Sequence, residues 1–184
     1  VICGLFKKCV ISDYISLNFV DRVFDAPLLY TGVENLLGVY GYTLQIYCDF
    51  SGYSDMAIGI ALLLGFRFNI NFDSPYQSAT ITEFWRRWHI SMGTWFKDYI
   101  FYPLSVAPWL LKLSKKARKS ISDGFGRKLS VYVSTIVTWF LTGLWHGAAW
   151  NFVVWGLLNA FFILLAEEFK PLSVKFREKN ARLV

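Results

Sequence analysis

The stretch that decides the fold is residues 129–166, LSVYVSTIVTWFLTGLWHGAAWNFVVWGLLNAFFILLA. Its 38 residues include no Asp, Glu, Lys or Arg. A single transmembrane helix needs about 20 predominantly apolar residues, so this stretch is long enough for two crossings. It therefore predicts a helical hairpin embedded in a membrane, with its apex near Trp145, His146 and Gly147.

Basic residues crowd both outer ends of this stretch. Lys and Arg concentrate on the cytoplasmic side of membrane spans, so two basic flanks predict cytoplasmic ends and an even number of crossings between them. A single acid, Asp123, lies within the first group. The first group is Lys112, Lys115, Lys116, Arg118, Lys119, Arg127 and Lys128, and the second is Lys170, Lys175, Arg177, Lys179 and Arg182.

A second apolar stretch, residues 35–66, carries only two charged residues, Asp49 and Asp55. It forms either one long tilted helix or two short helices, because several glycines offer breaks, and the sequence leaves both alternatives open. The six-residue step separates the two carboxylates by roughly 120° around a helix. They therefore do not share a face, which argues against a paired-carboxylate site.

Between the two apolar stretches, Thr80 and Glu83 have the spacing of a capping box, in which two side chains satisfy free N–H groups at a helix start. They predict a helix over about 82–99. Its mixture of aromatic and basic residues is typical of a helix lying in the membrane interface. One face carries Trp85, Trp88, Met92, Trp95 and Tyr99, the basic residues are Arg86, Arg87 and Lys97, and Pro103 and Pro108 make the following segment interfacial or re-entrant.

The composition agrees with an all-α, multi-span integral membrane helical bundle that includes interfacial or re-entrant helices. Of the 184 residues, 55% are hydrophobic, 19% aromatic and only 17% charged. This hydrophobicity excludes a disordered chain. The net charge of +6 comes from residues that flank apolar runs, so it does not indicate a nucleic-acid partner.

The cysteines, Cys3, Cys9 and Cys48, have no metal-site spacing and predict neither a zinc site nor a disulfide framework.

Two histidines are candidates for chemistry. His146 lies within the uncharged stretch, where an ionisable residue is by default a functional hypothesis, and imidazole suits proton transfer near neutral pH. Its alternative role is structural, since Gly143 and Gly147 permit a close helix contact at that point. The residues alone leave both roles of His146 open and favour a structural role for His89.

Two other functions compete with an enzyme. The first is a transporter or channel segment, in which Asp49, Asp55 and His146 form an intramembrane proton relay. The second is a catalytically silent scaffold that recruits a glycan-modifying partner. The two aspartates are better explained as polar groups for helix packing.

Three runs together resemble one family. They are YCDFSGYSDMAIG at 47–59, EFWRRWHIS at 83–91 and GLWHGAAWN at 143–151. The chain closely resembles the bacterial membrane-bound O-acyltransferases (MBOAT), in the subgroup of alginate O-acetyltransferase and the D-alanyl transfer protein. The likeness extends from about Gly4 to Phe169. It implies that residues 1–184 are a single partial domain, the central portion of a longer fold.

The resemblance implies a multi-pass enzyme of the bacterial inner membrane. Such an enzyme moves an acyl group, with acetyl expected first and D-alanyl second, onto a hydroxyl of an extracytoplasmic polysaccharide. The donor is a cytoplasmic thioester, either acetyl-CoA or an acyl carrier protein, and no bound cofactor or metal is expected. The implied partners are membrane lipid, the polysaccharide, the donor and a periplasmic or extracellular acyl-relay protein.

The resemblance also implies site residues. The family's invariant histidine, in its Trp-His-Gly motif, matches His146, which is expected to act as general base. The histidine of the Arg-Trp-His-Ile-Ser motif matches His89, which is expected to orient substrate or stabilise an oxyanion. Burial is expected to keep both imidazoles neutral. Substrate-binding candidates are Arg86, Arg87, Trp145 and Asn151, and lipid-headgroup anchoring is an equal alternative for the two arginines.

Overall fold

A computed structural model describes residues 1–181, with side chains through Pro171. Within this part of the chain the regular elements are all helical. The predicted partial domain separates into two compact units, Val1–Asp73 and Ser74–Val184. The basic side chains predicted to flank the hairpin at 175, 177, 179 and 182 lie outside the described residues.

The first unit is a long helix with a helical N-terminal segment packed along it. The N-terminal segment alternates α-helical turns with π-helical turns and ends in a 3₁₀ turn at Pro27–Leu29. The long helix, α4, spans Gly32–Leu63. The α-helical turns are α1 (Ile2–Leu5), α2 (Asp13–Ile15) and α3 (Asp21–Asp25), separated by the π-helical turns Phe6–Ser12 and Ser16–Val20.

Helix α4 settles the alternative left open for residues 35–66, because it is one continuous helix of 32 residues. It starts with a complete capping box, in which the Glu34 amide donates to Thr31 Oγ1 at 3.3 Å and the Thr31 amide donates to Glu34 Oε2 at 2.8 Å. The glycines are contact points rather than breaks. A Cβ on Gly52 would lie 2.7 Å from the carbonyl oxygen of Gly4, so the two backbones touch there.

Ion pairs neutralise both aspartates of α4. Lys7 Nζ lies 2.8 Å from Asp55 Oδ2. Lys8 pairs with Asp49 and, at 2.9 Å, with Asp13. These contacts join α4 to the N-terminal segment and support the packing role over a proton relay.

The second unit begins with a 3₁₀ turn at Pro75–Gln77 and contains six α-helices. The first four are short to medium and the last two form a hairpin. They are α5 (Ile81–Arg87), α6 (Ile90–Phe96), α7 (Tyr102–Ser105), α8 (Pro108–Ser120), α9 (Asp123–His146) and α10 (Trp150–Ala181), with a π-helical turn at Lys97–Phe101.

The helix predicted over about 82–99 is not continuous. Trp88 is extended (φ −101°, ψ 127°) and His89 is left-handed (φ 46°, ψ 54°), so α5 ends at Arg87 and a new helix starts at Ile90. A left-handed backbone cannot continue a right-handed helix. Outside glycine it costs of order 1–3 kcal/mol and persists only when surrounding contacts fix it. The two helices therefore present different faces.

Helices α9 and α10 pack against each other as the predicted hairpin, and residues 147–149 connect them. Among the described residues, one stretch is long and apolar enough to cross a membrane, Trp150–Pro171 in α10. Helix α9 is less apolar because it carries hydroxyl side chains. Several of these are buried within the unit, namely Ser134, Thr135 and Thr142.

Candidate active site

His146 is the last residue of α9, at the entrance to the hairpin turn. Its imidazole is exposed and surrounded by aromatic rings. The ring centroids of Trp145 and Trp155 each lie 4.9 Å from that of His146, both in edge-to-face geometry. Phe152 stacks nearly parallel at 6.3 Å. The aromatic surroundings fix the ring between the two arms of the hairpin.

His89 lies at the break between α5 and α6, where its left-handed backbone starts the second helix. It is half-buried. Burial lowers the pKa of His89, and the nearby His146 lowers this pKa further through like-charge repulsion. The fold therefore favours neutral imidazole, which can act as hydrogen-bond donor at one nitrogen and as acceptor at the other.

Trp145 links the two histidines. Its ring centroid lies 6.2 Å from that of His89 and 4.9 Å from that of His146. Two motifs that are far apart in sequence thus meet in one place, because the α5–α6 break and the end of α9 face each other. Two imidazoles beside one indole bring proton-accepting and hydrogen-bond-donating atoms near each other.

A cluster of three tryptophans holds α5 against the hairpin. Trp85 of α5 lies 4.7 Å from Trp139 of α9 and 5.7 Å from Trp155 of α10, measured between ring centroids. Trp85 Nε1 also donates a hydrogen bond to Asn159 Oδ1, at 3.2 Å. These contacts fix the helix turn that immediately precedes His89.

A cavity of about 510 Å³ opens beside His89 within the second unit. Its walls are mainly aromatic and aliphatic, Arg86 and Lys97 place cationic groups on them, and Glu167 adds one carboxylate. A stripe of threonines from α9 forms part of the wall, at positions 135, 138 and 142. His146 does not line this cavity, so the two histidines have different surroundings: one faces the cavity and the other the hairpin apex.

The structure separates the other candidate residues. Arg86 is exposed and lines the cavity, whereas Arg87 forms an ion pair with Glu83 within α5, with Nη2 2.8 Å from Oε1. Asn151 is exposed near the start of α10. Within the described residues, no hydrogen bond or ring contact connects Asn151 to either histidine. The geometry thus groups Arg86 and Trp145 with the histidines and leaves Arg87 and Asn151 apart.

Sequence reasoning missed Asn159, which contacts Trp85. A signal was present, because Asn159 is an amide in the middle of an apolar helix, and a polar residue inside a membrane span is expensive. The described residues contain no group of three or more His, Cys, Asp or Glu side chains placed to hold a metal ion.

Known proteins match the sequence of this chain over most of its length. The model of MBOAT, the membrane-bound O-acyltransferase family, matches residues 1–182. The chain is 44% identical to the probable alginate O-acetylase AlgI of Azotobacter vinelandii over 83% of its length. It is 36% identical to the peptidoglycan O-acetyltransferase of Helicobacter pylori over 94% of its length. It is also 31% identical to the teichoic acid D-alanyltransferase of Bacillus subtilis over 96% of its length.

The chain spans only part of these relatives: 27% of the first, 29% of the second and 42% of the third. The family match, by contrast, covers nearly the entire chain and includes both histidine motifs. The chain therefore belongs to the membrane-bound O-acyltransferase (MBOAT) family.

Proposed function

We propose that the protein carrying this chain transfers an acyl group, acetyl in the first instance, from a cytoplasmic thioester to a hydroxyl of an extracytoplasmic polysaccharide. Relatives named as acetylating alginate or peptidoglycan support the acetyl group and the glycan acceptor. The relative named as a teichoic acid D-alanyltransferase makes D-alanyl the second candidate.

The observation that carries the proposal is that the rings of His89 and His146 both lie against the ring of Trp145. Acyl transfer needs a base for the attacking hydroxyl and a donor for the oxygen that becomes negative. Two imidazoles that contact one indole ring can supply one group of each kind, and the lowered pKa of His89 favours its neutral form. The left-handed backbone at His89 adds support, since such strained residues cluster at functional sites.

In the proposed reaction, His146 accepts the proton of the sugar hydroxyl while that oxygen attacks the thioester carbonyl carbon. An N–H of His89 donates a hydrogen bond to the carbonyl oxygen as it becomes an oxyanion. When the intermediate collapses, the carbon–sulfur bond breaks and the thiolate leaves. The thiolate takes the proton from His146, so that the products are a sugar ester and a free thiol.

The cavity beside His89 fits one of the two substrates. Its apolar walls suit the acyl chain and the thioester arm, and Arg86 and Lys97 suit a phosphate group of the donor. Guanidinium and ammonium groups both bind phosphate well. We therefore place the donor in the cavity and the polysaccharide at the hairpin apex, beside the exposed face of His146.

The proposal assigns the protein to the bacterial inner membrane as a multi-pass enzyme. The family is membrane-bound, and the helix over Trp150–Pro171 has the length and composition of a span. The remaining proposed partners are membrane lipid and a periplasmic or extracellular protein that relays the acyl group. We propose that it needs no bound metal or cofactor, because the acyl donor is consumed as a co-substrate.

The test uses membrane vesicles that contain the natural protein carrying this chain, with labelled acetyl-CoA and polysaccharide. We expect label to reach the glycan in the wild type and to fall by about 10²–10⁴-fold in His146→Ala, the usual contribution of a positioned base. Ile136→Val, at an exposed position of α9 away from the apex and the cavity, is the matched control and should transfer at the wild-type rate.

Two outcomes would change the conclusion. Equal transfer by the wild type and His146→Ala would show that His146 is structural and would overturn the mechanism. No transfer by the wild type would exclude acetyl-CoA as donor. The same comparison would then be made with acetyl and D-alanyl thioesters of a carrier protein, and their failure would overturn the enzyme proposal.

A further inference from the structure

Asn159 lies in α10, within the stretch that can cross a membrane, and both ends of its carboxamide are engaged. Its Nδ2 donates to the carbonyl oxygen of Trp155, one turn earlier in the same helix, at 2.9 Å. Its Oδ1 accepts the hydrogen bond from Trp85 Nε1, at 3.2 Å. The first bond fixes the orientation of the amide, so that its oxygen faces α5.

This arrangement joins α5 to α10 by a bond that an apolar side chain cannot replace. Without Asn159, the indole N–H of Trp85 would lose its acceptor among tryptophan rings, and an unpaired polar group in apolar surroundings is costly. The bond also restricts the rotation of the Trp85 ring, which already packs edge to face on Trp139. Asn159 therefore sets where the last turn of α5 lies.

The position of that turn determines where His89 emerges. Trp85 precedes His89 by four residues, and the helix ends between them at Arg87. The backbone carbonyl oxygen of Trp85 also lies 3.8 Å from the Cβ position of Gly93 in α6. The residue that Asn159 holds thus belongs to α5 and lies close to α6, and these are the two helices that border His89.

Asn159 is also linked to the second histidine, His146, through Trp155. Asn159 bonds to the Trp155 backbone, and the Trp155 ring contacts both Trp85 and His146. The Asn159 amide thus bonds to Trp85, in the helix that precedes His89, and to the backbone of Trp155, whose ring contacts His146. It touches neither imidazole ring.

We infer that Asn159 is a positioning residue for acyl transfer. It holds α5 against the hairpin in the position that brings His89 to Trp145 and His146. This inference rests on the proposed function for its kinetic consequence. Its structural consequence, the placement of His89, stands independently of which reaction the protein catalyses.

The experiment compares four variants of the natural protein in membrane vesicles. Asn159→Leu removes the acceptor at similar volume, and Trp85→Phe removes the donor while keeping an aromatic ring. The double variant tests whether the two substitutions act through the same hydrogen bond, the one between Trp85 and Asn159. Leu158→Ala, at an exposed neighbouring position of α10, is the matched control.

We expect Asn159→Leu and Trp85→Phe each to lower kcat by at least about tenfold, with KM changed much less, since displacing a catalytic group by 1 Å can cost about 10²-fold. The double variant should be no slower than the slower single variant. Leu158→Ala should retain wild-type kcat. A loss of kcat equal to the product of the two single losses would show that the bond has no positioning role.

A second measurement does not depend on activity. Diethyl pyrocarbonate modifies neutral imidazole, and peptide mapping reports His89 and His146 separately. We expect the modification rate of His89 to change in Asn159→Leu and in Trp85→Phe, and to stay at the wild-type value in Leu158→Ala. An unchanged His89 rate in both variants would overturn the inference. A wild type inactive with every donor would overturn only the proposed function.

Discussion

The rings of His89 and Trp145 meet edge to face, with centroids 6.2 Å apart. The contact joins a break between two short helices to the end of a long one, and the next residue after Trp145 is His146. The pair of histidines is therefore assembled by tertiary structure and does not exist in either motif alone.

Trp145 should act as a spacer whose ring is required. Trp145→Ala leaves a gap between the two imidazoles, and we expect acyl transfer to fall by about 10²-fold through misplacement. Trp145→Phe keeps an aromatic ring there and should lose far less. The measurement is the initial rate of label transfer in vesicles. Equal rates for the two variants would show that the ring is not a spacer.

His89 should be neutral at pH 7 and should remain so below its ordinary pKa of 6.5, because burial and His146 lower the pKa of His89. Its modification by diethyl pyrocarbonate should therefore rise with pH to a midpoint below 6.5. The unfolded state binds the proton first as the pH falls, so acid should destabilise the fold once the pH drops below 6.5. A modification midpoint at or above 6.5 would contradict the prediction. Circular dichroism over the same range separates titration from unfolding.

The close contact of α9 and α10 should not tolerate a methyl group at Gly156. A Cβ there would overlap the backbone carbonyl oxygen of Trp139 and would lie 3.2 Å from Gly143 Cα. Overpacking of this kind costs about 1–3 kcal/mol. We expect Gly156→Ala to lower the thermal midpoint of the purified protein in detergent. Gly124→Ala, where a Cβ meets no atom within 4 Å, is the control and should leave the midpoint nearly unchanged.

Asp55 should contribute to stability and not to transfer. Asp55→Asn breaks the ion pair with Lys7, which is partly exposed, and such pairs contribute about 0–1 kcal/mol. We expect a small drop in thermal midpoint and an unchanged transfer rate. Proton flux in vesicles that is lost in Asp55→Asn would favour the transporter alternative. Asp21→Asn, which alters a carboxylate outside α4, is the matched control.

The hairpin could be predicted because its sequence signal lies in one continuous stretch and both ends of that stretch carry basic residues. An uncharged stretch with basic ends determines both arms of the hairpin, and the apex at His146 follows from the length of the stretch alone. The motifs around the histidines likewise identified both residues before any geometry was known. What these signals share is that each lies in one continuous run of the sequence.

The break at His89 was not predictable for the opposite reason. Neither Trp88 nor His89 is a helix breaker, and the aromatic spacing around them matches a continuous helix. Tertiary contacts of Trp85 stabilise the bend, and they involve residues of α9 and α10 far along the chain. The role of Asn159 was hidden in the same way, since an isolated amide does not reveal which group it bonds.

The left-handed backbone of His89 limits which replacements can be interpreted. Alanine at this position removes the imidazole and also disfavours the bend, since only glycine and, to a lesser degree, asparagine and aspartate adopt that conformation readily. A loss of activity in His89→Ala would therefore combine two effects, the loss of the imidazole and a change of backbone conformation at residue 89. His89→Asn removes the imidazole while preserving the bend, and His89→Gly accepts the bend with no side chain at all. Mutational scans that rely on alanine will overstate the chemical contribution of this histidine. The glycine variant reports the loss of the imidazole with the bend retained, whereas the asparagine variant keeps an N–H donor at the same position.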